Sequence, residues 1–87
     1  MPITRRRKYA YFEILRYDLD LSIQRANLAL AERELNAARE HRMEARRGYE
    51  TASEALRVAQ MPAEEIAALR EKLKELKELL EARRRRS

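Results

Sequence analysis

One spacing governs what this chain can become: a large residue every seven positions, with a small one three places later. Ile14, Leu21, Leu28, Leu35, Arg42, Tyr49 and Leu56 form the first series. Tyr17, Gln24, Ala31, Ala38, Ala45, Ala52 and Ala59 form the second. A 3-4 repeat places both series on one stripe of an α-helix, because side chains three, four and seven residues apart stack on the same face. A strand would need a period of two. Helices carrying such a stripe bury it against other helices, and alanines at alternate positions let two backbones approach closely.

Little in the chain interrupts helix. Its 87 residues contain a single glycine, Gly48, and two prolines, Pro2 and Pro62. Turns are therefore few and helices long. The expected fold is all-α: a long helix and a shorter helix in an antiparallel, coiled-coil-like hairpin that assembles into a helical bundle. The expected layout is a basic disordered leader over 1–8, a long helix over 9–60, a turn at 61–62 and a second helix over 63–86, one domain in all. Pro62 marks the turn, since proline disfavours α geometry at the residue before it and suits the first turn of the helix after it. Glu64 and Glu65 then meet the positive end of the new helix dipole. The second helix carries its own stripe, Ile66, Leu69, Leu73, Leu76 and Leu80.

Residues 9–23 carry two signals. Tyr17, Leu19, Leu21 and Ile23 alternate with Asp18, Asp20 and Ser22, which is strand-like. Phe12, Leu15, Leu19, Ile23, Ala26 and Leu30 also make a helical stripe beside the Ile14–Leu21–Leu28 one. Helix is the better reading, because no second strand exists to satisfy the backbone of the first. If the segment is extended, the helix breaks near 18–22 and Ser22 caps it. Gly48 reads as tolerated within the long helix, with a close helix crossing there as the alternative.

The alternation of large residues with alanines resembles the seam of Rop-like hairpins, small RNA-binding proteins whose helical hairpins dimerise into a four-helix bundle. The likeness is one of seam pattern and layout, with no residue motif shared. It implies paired hairpins as the architecture, and RNA as a partner class only through the analogy.

Chemistry is sparse. The chain has one histidine, His41, no cysteine and no glycine-rich loop. A catalytic centre needs a nucleophile or base oriented by a third group in a pocket, and a hairpin supplies no pocket. His41, with Glu40 and Glu44 nearby, reads as a solvated mid-helix residue. No enzyme activity, metal, cofactor or small-molecule substrate is expected. Without cysteine there are no disulfides, which suits a reducing compartment, and a cytoplasmic location is the expectation.

The shorter second helix reaches back only to about Ala37, so residues 9–36 are expected to lack a partner within the chain. That stretch is the candidate protein interface: Tyr11, Phe12, Ile14, Leu15, Tyr17, Leu19, Leu21, Ile23, Leu28 and Leu30. Its expected occupant is a second copy, in a twofold homodimer, or a partner protein. Arg42 stands at a large-residue position of the seam. Its aliphatic stem can pack over the stripe while the guanidinium reaches water, or it can set register against a carboxylate.

The net charge of +5 comes mostly from the two ends, because residues 22–60 are nearly balanced. Arg5, Arg6, Arg7 and Lys8 precede Tyr9, Tyr11 and Phe12, and Arg83, Arg84, Arg85 and Arg86 end the second helix. Cations beside aromatics suit phosphate contact and base stacking. The alternative function is thus a small nucleic-acid-binding protein. An anionic membrane surface contacted by residues 1–20 is the weaker reading of the same features. Against the nucleic-acid reading, the helix body lacks the continuous basic stripe typical of nucleic-acid readers, which points to protein–protein contact with basic ends.

Overall fold

The computed structural model describes residues 2–86, with side chains described over 11–82. Three helices follow in order: α1, Pro2–Ala31; α2, Leu35–Val58; and α3, Ala63–Arg86. Each packs on both of the others. Among the described residues there is no strand, so the helical stripe prevails over the period-two pattern of 17–23. The bundle is slender, 51 × 19 × 16 Å. Its long axis matches the roughly 45 Å of a 30-residue helix at 1.5 Å per residue.

The single long helix expected over 9–60 is two helices. The chain leaves helix at Glu32, Arg33 and Glu34, not near 18–22. The amide of Glu32 donates to Leu28 O at 2.9 Å, closing α1. Glu34 has extended backbone (φ −74°, ψ 122°) and caps α2: its Oε1 accepts from the Ala37 amide at 2.7 Å. Its carbonyl accepts from the Ala38 amide at 2.9 Å. This link holds no glycine or proline, and glutamate and arginine are good helix formers. Propensity would carry the helix straight through. Tertiary burial overrides it, because folding back brings the apolar face of α1 onto α2 and α3.

The second link follows the sequence more closely. Ala59 ends α2 with extended backbone (φ −73°, ψ 143°). Pro62 O then accepts from the amides of Glu65 and Ile66 at 3.0 and 3.1 Å, opening α3.

The core draws on all three helices. Leu15, Leu19 and Ala26 of α1 meet Ala45, Ala52 and Leu56 of α2 and Leu69 and Leu76 of α3. Leu19, Leu69 and Leu76 are the largest fully buried side chains. Each contributes about 1.5–3 kcal/mol by leaving water. Phe12, Ile23, Tyr49, Ile66, Leu73 and Leu80 close the sides. The alanines of α2 are the thin wall of this core: Ala38, Ala45 and Ala52 are buried.

Two expectations are thereby corrected. Residues 9–36 do not lack an intrachain partner, since α1 packs against both α2 and α3. A four-helix bundle built from two-helix hairpins does not fit a chain of three helices. Both follow from the break at 32–34, which turns a protruding arm into a packed third helix.

Candidate interaction surface

The break also changes which residues α1 buries. Had the helix run on, Ile14, Leu21 and Leu28 would share a stripe with Arg42, Tyr49 and Leu56. In α2 that stripe does face inward: Leu56 is buried and Arg42 and Tyr49 are half-buried. In α1 the buried set is Leu15, Leu19, Ser22, Ala26 and Ala29. Its members fall one or two positions away from the seam. At 100° per residue, the seam stripe of α1 is therefore turned away from the core.

The consequence is an exposed apolar row. Ile14 is 55% exposed, Tyr17 63%, Leu21 41% and Leu28 49%. Tyr11 is also exposed but lies off this row, at the azimuth of the buried Ala29, and Leu35 lies exposed just past the row's end. Single exposed leucines need no explanation, but Ile14, Tyr17, Leu21 and Leu28, a 3-4 row broken only by Gln24 over about four turns of one helix, do.

Of the ten residues expected at an interface, four lie on this face, Ile14, Tyr17, Leu21 and Leu28, and Tyr11 is exposed to one side of it. Leu15 and Leu19 are buried in the chain's own core, which removes them from any outer contact. Phe12 and Ile23 pack half-buried against that core, and Leu30 is half-buried.

Beside the row runs a groove of about 330 Å³ between α1 and α2. Its floor is Ser22 of α1 and Gly48 of α2. A Cβ on Gly48 would overlap Ser22 Oγ and stand 3.0 Å from Ser22 Cβ. Gly48 thus marks a close helix crossing, the alternative of the two readings its position allowed. Asp18, Leu21 and Arg25 form one wall, and Glu44, Arg47 and Thr51 the other. Asp18 and Arg25 sit a heptad apart on the flank of the apolar row. Sequence reasoning passed over them; their fixed offset of four from Ile14 and Leu21 was the available signal. Met43, exposed on α2, borders the Arg25 end.

Ion pairs decorate this scaffold. Lys72 Nζ meets Asp20 Oδ1 at 2.7 Å and ties α3 to α1. Arg47 and Glu44 pair at 3.8 Å, Arg57 and Glu54 at 3.0 Å, and Arg16 pairs with Glu13. Arg16 also lies 6.0 Å from the centroid of the Phe12 ring, at the outer limit of a cation–π contact.

Other expected positions carry less. Arg42 is half-buried at its seam position and makes its own interactions. His41 is half-buried, and its Nδ1 is enclosed without a hydrogen-bond partner. Among the described residues, no group of three acidic, histidine or cysteine side chains is placed to hold a metal ion. No helix of the described residues is long and apolar enough to cross a membrane. The side chains of Arg5, Arg6, Arg7 and Lys8, and of Arg83 to Arg86, lie outside the described residues.

Compared with protein-family models, with curated proteins and with solved structures, the chain finds no match in any of the three. What fold and surface define is an all-helical protein of three packed helices with an apolar row on the outside of the first.

Proposed function

We propose that this chain is a non-enzymatic helical interaction module whose binding face is the outer side of α1. The observation that carries this reading is the exposed row Ile14, Tyr17, Leu21 and Leu28. Its spacing is that of a coiled-coil seam, so its natural complement is another helix laid along it. In this reading α2 and α3 form the antiparallel hairpin anticipated from sequence and serve as the support. α1 lies across that support, one stripe in the core and the other presented outward, so the interface is narrower than the whole of 9–36.

A photo-crosslinking amino acid at Leu21 tests this in cells. The same group at Arg70, an exposed residue of α3, is the control. Discrete protein adducts at Leu21 and none at Arg70 are expected. Adducts at neither position, or equally at both, would overturn the reading.

A further inference from the structure

The charges beside the apolar row limit what can lie on it. On the flank facing α2 stand Asp18 and Arg25, seven residues apart. On the opposite flank stand Glu13, Asp20 and Asn27. Two helices packed in parallel bring opposite flanks together, and two packed antiparallel bring like flanks together. A second copy of α1 in parallel would set Glu13 beside Asp18 of its mate on both sides of the axis, a clash that offsets the favourable Asp20–Arg25 contacts of the same register. The antiparallel arrangement removes that clash. It sets Asp18 against Arg25 of the second copy twice, and Asp20 beside Asn27 twice. In the same register Leu21 stacks on Gln24 of the second copy, and Leu28 on Tyr17. Glu44, Arg47 and Thr51 of the groove's far wall then border the second helix.

We infer that the occupant of the outer face of α1 is a second copy of this chain, with the two α1 helices antiparallel about a twofold axis between Leu21 and Gln24. This rests on the proposed function above and names its partner. A closed twofold contact uses one patch twice, which is what a self-complementary flank provides.

The chain has no native cysteine, so engineered ones report cleanly. In the full-length Asp18→Cys/Arg25→Cys variant the two positions lie roughly 10.5 Å apart along one helix, too far for an internal disulfide. Mild oxidation is expected to give a dimer linked twice. Asp20→Cys/Arg25→Cys, which would report parallel pairing, is expected to stay monomeric on the same gel. In sedimentation without engineered cysteines, Asp18→Arg should weaken the dimer roughly tenfold or more relative to the native chain, and Asp18→Arg/Arg25→Asp should restore it. A chain that sediments as a monomer throughout would overturn the inference, as would a dimer trapped by the parallel pair or indifferent to Asp18→Arg. A monomer that still crosslinks through Leu21 to a different protein would leave the interaction module standing and remove only the self-pairing.

Discussion

Gly48 of α2 lies so close to Ser22 of α1 that a methyl group on the glycine would overlap the serine hydroxyl. This crossing sets the spacing of the two helices and forms the floor of the groove beside the apolar row. In an exposed helix, alanine is about 1 kcal/mol better than glycine. Here that gain competes with overpacking, which costs typically 1–3 kcal/mol. Gly48→Ala should therefore lower stability by about 1 kcal/mol in urea denaturation. In a Ser22→Gly background, which removes both obstructing atoms, the same change should raise stability by a similar amount. A stabilising effect of Gly48→Ala in the native background would contradict the close crossing.

The two stripes of α1 should respond differently to truncation. Leu19, like Leu69 and Leu76, is fully buried, and cutting such a side chain to alanine costs about 2–5 kcal/mol. Leu19→Ala should lower the thermal midpoint sharply. Leu28→Ala, on the outer row, should change the stability of the isolated monomer by less than about 0.5 kcal/mol. Melting both variants at a concentration low enough to keep the chain monomeric checks the contrast.

The Asp20–Lys72 pair joins α1 to α3 across the outside of the bundle, with the two side chains 52% and 31% exposed. Water and salt screen such a pair, and exposed pairs are worth about 0.2–1 kcal/mol. A double-mutant cycle with Asp20→Asn and Lys72→Met should return a coupling within that range, shrinking in high salt. A coupling of several kcal/mol would show that the pair is far better shielded than its exposure indicates.

Glu34 starts α2 through a side-chain bond to the Ala37 amide. Glu34→Ala should cost about 0.5–1 kcal/mol by leaving that amide uncapped, and Glu34→Ser should recover most of it, serine being a preferred N-cap. Chemical denaturation of the three proteins measures the order. Serine no better than alanine would place the stability of this turn elsewhere.

Some of this was legible beforehand. The all-helical character follows from residue spacing and from the scarcity of glycine and proline. Pro62 announced the second link because proline acts locally, through its fixed φ and missing amide. Both stripes of α1 were visible too, Phe12–Leu15–Leu19–Ile23 beside Ile14–Leu21–Leu28. The link at Glu32–Glu34 was not, since those residues are helix formers and nothing local asks them to stop. Asp18 and Arg25 were equally silent, because a charged pair seven residues apart means little until the face between them is known to be exposed.

The sequence by itself determined that this protein is helical, where its last helix begins, and that its first segment carries more apolar surface than one contact can cover. Only the tertiary structure decided which stripe goes inside. Periodicity fixes relative position around one helix, but burial is a competition among all faces that can meet. The fold at Glu32–Glu34 settles it by setting Leu15, Leu19 and Ala26 against α2 and α3 and leaving Ile14, Leu21 and Leu28 outside.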